Sequence, residues 1–145
     1  MIREIEIDDK EIYIEMAEEF YHSEAVSHPV PTAHFEKAFD HMVNDGTYYR
    51  GYMFEHDCVT CGFCAVSITY SQEAGGQVIW IEDLYIRPEY RGKGIGSKLF
   101  ERISRDFPDA ARYRLEITET NKDARRLYER MGFEVLPYVQ MVKEL

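Results

Sequence analysis

Two adjacent carboxylates, Glu82 and Asp83, interrupt the most apolar segment of the chain, Val78-Ile79-Trp80-Ile81-Glu82-Asp83-Leu84-Tyr85-Ile86. Charge inside a buried strand is costly unless it is paired or used. A glutamate beside apolar strand neighbours has its pKa pushed up, which suits it to taking a proton near neutrality. Strand alternation sends Asp83 to the opposite face from Glu82. There it either holds a cation at a cleft mouth or pairs with an arginine or a helix N-terminus.

Directly after this segment comes Arg91-Gly92-Lys93-Gly94-Ile95-Gly96-Ser97. A glycine-rich loop that opens a helix presents unpaired N–H groups at the positive end of the dipole, a site for an anion and usually for phosphate. The dinucleotide pattern G-x-G-x-x-G fails, because Ser97 stands where the third glycine belongs. The P-loop pattern fails too, because Gly92-Lys93 is followed by Gly94. As a bare glycine cluster, the loop reads equally well as a tight strand-to-helix turn. Cys58, Cys61 and Cys64 share a three-residue spacing but have no fourth ligand at the usual distance, so the reading is core packing and no metal.

The elements that must position these groups follow from periodicity. Residues 3–7 alternate as a first strand, and residues 9–20 form a helix with Ile12, Met16 and Phe20 on one face. A second helix covers residues 33–44 behind Thr32. Residues 48–55 and 62–70 read as paired strands joined through 56–61, and residues 77–86 as the strand already described. A helix from Gly94 carries Ile95, Leu99 and Ile103 and stops at Pro108. Residues 112–118 form a strand, 121–131 a helix that Gly132 ends in the left-handed conformation, and 133–136 and 138–143 the final strands. The order β-α-α-β-β-β-α-β-α-β-β predicts one α/β (α+β) domain over residues 1–145. It has a mixed, mostly antiparallel sheet of about six or seven strands and helices on both faces.

Arg91, Gly94 and Gly96 after an apolar strand, followed by Asn121, Ala124, Leu127-Tyr128-Glu129 and Gly132-Phe133, resemble the two signature blocks of the GNAT N-acetyltransferase superfamily. The resemblance implies an acyl-CoA-binding core at about residues 78–135 and an acceptor side mainly in 1–75. It implies that acetyl-CoA lays its pyrophosphate on the amides of Arg91, Gly92, Lys93, Gly94, Ile95, Gly96 and Ser97. The pantetheine arm lies along Leu84, Tyr85 and Ile86, on a strand that usually carries a bulge and splays from its neighbour, and Asn121 belongs to the second signature block on the cofactor side. By the same resemblance Tyr128 protonates the departing thiolate. Glu82 is then the candidate base for an amine, directly or through a water, with Asp83 and Glu116 as acidic contacts for the acceptor. The run around Glu82, Asp83 and residues 90–97 looks like the diamine/polyamine branch, which points to a small cationic amine. Protein N-termini, lysine and aminoglycosides remain open, as does a non-catalytic CoA-binding or polyamine-sensing module.

The bulk properties agree with an amine partner. Twenty-seven acids against 17 Lys and Arg give a net charge of −10, which disfavours a nucleic-acid partner and favours cations. Residues 1–10 alternate charge and isoleucine rather than forming a secretion signal, and no apolar run approaches the roughly 18 residues of a membrane span. The expectation is a cytoplasmic enzyme, with a homodimer as the family's common assembly.

Overall fold

The computed structural model describes all of residues 1–145. In chain order the elements are β1 (Ile2–Glu4), α1 (Lys10–Tyr21), α2 (Thr32–Asn44), β2 (Tyr49–His56), β3 (Val59–Ser71), β4 (Gly76–Ile86), α3 (Ile95–Asp106), β5 (Ala110–Leu115) and α4 (Lys122–Arg130). The strands form one sheet in the order β1-β2-β3-β4-β5. It is antiparallel through β4, while β4 and β5 run parallel. A parallel pair needs a crossover, and α3 supplies it.

The helices cover both faces, as the order of elements predicts. On one face α1 contributes Tyr13, Met16, Ala17 and Phe20, and α2 contributes Phe35, Phe39 and Met42, all against Met53, Phe63, Ala65 and Tyr85 of the sheet. On the other face Ile95, Leu99 and Ile103 of α3 pack on Tyr52, Phe54, Cys64, Val66, Ile79 and Ile81. The same four-residue steps that mark these helices in the sequence form their buried stripes. Each buried Leu, Ile, Phe or Met contributes about 1.5–3 kcal/mol. Gly62 lets β3 and β4 close up, because a Cβ there would run into the Tyr85 carbonyl oxygen.

Three expectations need correction. The β2–β3 connection is only Asp57 and Cys58, both at positive φ (50° and 62°), so β3 begins at Val59. This is the backbone of a two-residue hairpin turn, unmarked here because no glycine fills it. The sheet has five strands rather than six or seven. The predicted strands at 133–136 and 138–143 alternate correctly but have no ladder partner, and their backbone bonds are Phe133 N–H to the Tyr128 carbonyl and Tyr138 N–H to the Leu136 carbonyl, both at 2.9 Å. The Tyr138 hydroxyl binds Glu73, which also pairs with Arg112 at 3.0 Å. These contacts draw the tail toward the β3–β4 turn, and a groove of about 700 Å³ opens between it and β5.

Cys61 and Cys64 are buried in the core and Cys58 is exposed in the hairpin turn. No group of three or more His, Cys, Asp or Glu side chains is arranged to hold a metal ion. No helix is long and apolar enough to cross a membrane.

Candidate active site

A cleft opens where β4 stops pairing with β5. Their ladder runs from Gln77 opposite Ala110 to Ile81 opposite Leu115 and ends there. On its other side β4 stays paired with β3 as far as Ile86. One residue of β4 is extra: Ile81 lies opposite Val66 and Asp83 opposite Ala65, so Glu82 has no partner. This bulge resets the alternation. Leu84 and Ile86 pack with Ile81 on the α3 side, while Tyr85 turns to the α1 side. Strand alternation would have separated the two carboxylates. The bulge instead places Glu82 and Asp83 on the same cleft, which corrects the expectation that Asp83 faces away.

The backbone of this open half is aimed by the ladder. Arg87 donates its N–H to the Cys61 carbonyl at 2.8 Å. Gly62 opposite Ile86 is therefore a non-hydrogen-bonded pair, and so is Cys64 opposite Leu84. The amide groups of Leu84 and Ile86 point away from β3, toward the side that β5 has left. Ile86 uses its carbonyl to accept from Arg91 Nε at 2.8 Å. The Tyr85 ring sits in the core and its hydroxyl donates to Glu19 Oε2 at 2.7 Å. Its backbone faces Phe63 of β3 as the hydrogen-bonded pair, so neither is offered to a ligand, which corrects the expectation that Tyr85 lies along the pantetheine arm.

At the head of β4 the glycine loop starts α3. Gly94 takes φ +77° as the residue before the helix, and no side chain caps the first turn. The first helical bond in this turn runs from Lys98 N–H to the Gly94 carbonyl, at 3.2 Å. The N–H groups of Ile95, Gly96 and Ser97 thus lack helical acceptors. Arg91, Gly92, Lys93 and Ser97 are exposed, and the Ile95 side chain is in the α3 core. This loop lies beyond the residues that line the cleft.

The opposite wall is the end of β5 and α4. Asn121 caps α4, its Oδ1 accepting from Ala124 N–H at 3.2 Å. Gly132 closes the helix at φ +91°, as predicted. Tyr128 meets Phe133 edge-on with centroids 5.6 Å apart. Burial, with the Cys64 thiol nearby, pushes its phenol pKa above the ordinary value, so it keeps its proton throughout the neutral range. Glu82, Asp83, Leu84, Glu116, Asn121 and Tyr128 all line one cleft of about 310 Å³.

The third wall comes from residues that the sequence did not mark as site residues, Phe20 having been read only as core. Phe20 and Tyr21 end α1, and Ala25, Val26 and Ser27 follow in the loop. The Tyr21 hydroxyl donates to Asp83 Oδ1 at 2.7 Å across 62 residues of sequence. Burial raises the Asp83 carboxyl pKa to about 6, the Tyr21 hydrogen bond holds it back, and the charge of Glu82 adds to the rise. The burial expected for Glu82 therefore falls on Asp83, and Glu82 is exposed. The one signal for Tyr21 is an aromatic residue beside Phe20, one place off the predicted apolar stripe.

Residues 10–133 match the acetyltransferase (GNAT) family, and the chain belongs to that family. It is 41% identical over 59 residues to the thialysine N-epsilon-acetyltransferase of Sus scrofa, a match covering 39% of this chain and 35% of that protein. It is 29% identical over 92 residues to the spermine/spermidine N(1)-acetyltransferase of Bacillus subtilis strain 168, covering 60% of each. The chain thus spans about a third of the length of the thialysine enzymes it matches. Its fold superposes with a TM-score of 0.82 on AAC(6')-Iy in complex with a CoA-based bisubstrate analogue. That match covers 100% of this chain and 97% of the other at 15% identity, a likeness of fold alone.

Proposed function

We propose that the protein is an acetyl-CoA-dependent N-acetyltransferase that acylates a primary amine of a small, cationic, polyamine-like acceptor. The observation that carries this reading is one cleft holding a protonated phenol, Tyr128, two adjacent carboxylates, Glu82 and Asp83, and the outward amide of Leu84. Family membership supports the class of reaction. The net charge of −10 and the polyamine and thialysine acceptors named for two relatives support the class of acceptor.

Acetyl-CoA, when bound, supplies an electrophilic thioester carbonyl and a thiolate leaving group. The amides of residues 92–97 hold its pyrophosphate with the help of the Arg91 and Lys93 side chains, since uncapped N–H groups at a helix start favour an anion, whereas the Arg91 N–H is taken by the Pro88 carbonyl. The outward backbone groups of Leu84 and the Ile86 N–H pair with the pantetheine arm as an added half-strand, with Tyr85 as the spacer between them. The Leu84 N–H polarises the carbonyl oxygen. Asn121, by capping α4, fixes the height at which Tyr128 meets the cleft. Glu82, Asp83 and Glu116 attract the ammonium group. The amine must lose a proton before it attacks, because its pKa of about 10 keeps it charged at neutrality. As the new C–N bond forms and the C–S bond breaks, Tyr128 gives its proton to the sulfur.

CoA thiol release, measured with spermidine, putrescine, lysine, a lysyl peptide and an aminoglycoside, tests the reading. Spermidine or putrescine is expected to stimulate release most. Binding of acetyl-CoA with no amine-stimulated release would instead make this a CoA-binding module. In the same assay Tyr128→Phe is expected to lower kcat by on the order of 10²-fold while leaving acetyl-CoA affinity in place.

A further inference from the structure

We infer that Asp83, held in place by Tyr21, is the carboxylate that takes the proton from the acceptor amine, and that Tyr21 is its positioning residue. Glu82 then serves to draw the cation in. The inference rests on the acetyltransferase reading and assigns roles within it.

The bulge puts both carboxylates on the cleft but in unlike surroundings. Glu82 is exposed, whereas Asp83 is partly buried against the end of α1. Asp83 Oδ1 accepts from Tyr21 at 2.7 Å. Oδ2 makes no side-chain hydrogen bond, yet the chain has no sealed and unsatisfied side-chain oxygen. Oδ2 therefore opens on the cleft that Asp83 lines. Tyr21 is itself well anchored, because α1 buries Tyr13, Met16, Ala17 and Phe20 just before it.

The groups around Asp83 name what it lacks. Tyr21 touches it and Tyr13 lies near it on α1, with Tyr49 of β2, Cys64 of β3 and Glu82 of β4 also close by. Glu116 and Tyr128 stand across the cleft. None of these is a cation. A buried carboxylate without a fixed counter-charge is matched by the ammonium of a substrate, and its raised proton affinity makes it a better base than an exposed acid. Asp83 takes one proton from the ammonium and later releases it to water. The second nitrogen proton becomes acidic once the C–N bond has formed, and replaces the one that Tyr128 gave to sulfur. The balance is one amide, one CoA thiol and one released proton.

Two measurements on the full chain test this. The first is a ¹³C carboxyl NMR titration of Asp83 in the free protein, which needs no turnover. The second is the pH profile of kcat/KM for spermidine with acetyl-CoA. Asp83 is expected to titrate near the acid limb of that profile. Tyr21→Phe removes a hydrogen bond that favours the carboxylate, so it is expected to move both the titration and the limb upward, by up to about one pH unit. Tyr52→Phe, which breaks a buried tyrosine–carboxylate contact to Asp106 on the other face, is expected to move neither. Asp83→Asn is expected to lower kcat by on the order of 10²-fold. A rise in KM alone would make Asp83 a binding carboxylate and overturn the assignment. So would a titration that moves in Tyr21→Phe while the acid limb stays. Those results leave the acetyltransferase reading intact, whereas wild-type protein that acetylates no amine removes that reading and this inference together.

Discussion

α1 and α4 each carry a tyrosine to the cleft, but they are held in opposite ways. α1 buries four side chains in a core shared with α2 and the sheet. α4 buries none, and Leu127 on its apolar side is 39% exposed. What holds α4 is the Asn121 cap, its own charged pairs and the contact of Tyr128 with Phe133. Tyr21 therefore stands on a stiff wall and Tyr128 on a soft one. In the proposed mechanism the carboxylate that needs fixed geometry has the rigid partner. The tyrosine opposite, which in that mechanism adapts to a ligand entering between β4 and β5, sits on a low-stability element.

Core truncation gives the largest expected contrast. Met16→Ala, at a fully buried site, is expected to cost about 2–5 kcal/mol of global stability, and Leu127→Ala only about 0.5 kcal/mol or less. Urea unfolding measures both, and equal losses would erase the distinction between the two helices.

A smaller effect of opposite sign sits on the stiff wall. Burial holds the folded-state pKa of Asp83 at about 6, above the ordinary 3.8. The folded chain binds this proton more tightly than the unfolded chain does. Asp83 therefore costs nothing below about pH 4, and its cost grows as the pH rises through about 6. Asp83→Asn is expected to stabilise the fold at pH 8 by up to about 3 kcal/mol and to leave it unchanged at pH 4. Denaturation midpoints at the two pH values check this, and an equal gain at both would mean that burial of the charge is not the cause.

The smallest effect belongs to the soft wall. Asn121→Ala is expected to cost about 1 kcal/mol, felt in α4 alone. Amide hydrogen exchange should show α4 opening faster while α1 keeps its protection. Faster exchange across the whole chain would make α4 part of the cooperative core instead.

The α1–α4 contrast also explains what could be read from the residues alone. α1, α2 and α3 announce themselves because burial imposes a helical period on Met16, Phe39 and Leu99, and the sheet positions follow from period two. Gly132 and the loop from Arg91 to Ser97 are legible because positive φ at Gly92, Gly94 and Gly132 selects glycine. The bulge is implied by the family resemblance alone, since Glu82 is an ordinary residue and nothing local marks it as surplus. The Asp57 and Cys58 turn is silent for the same reason. Tyr21 and Asp83 meet through tertiary packing that no spacing encodes. The tail misleads in the other direction. Val135, Val139 and Met141 alternate as a strand should, but alternation specifies a face and not a partner, and these residues stay exposed.

A strand that addresses its side chains two by two behaves like text with a reading frame, and Glu82 is its frameshift. Were the strand to run straight through Glu82 with no bulge to absorb it, everything downstream to Ile86 would be rewritten. Leu84 and Ile86 would be delivered to the α1 side, Asp83 would be thrust among the aliphatics of α3, and the Leu84 amide would turn back into the ladder. No substitution at any one of those positions could do as much. The separation of core from cleft along this strand is therefore written as a count of residues more than as a choice of them.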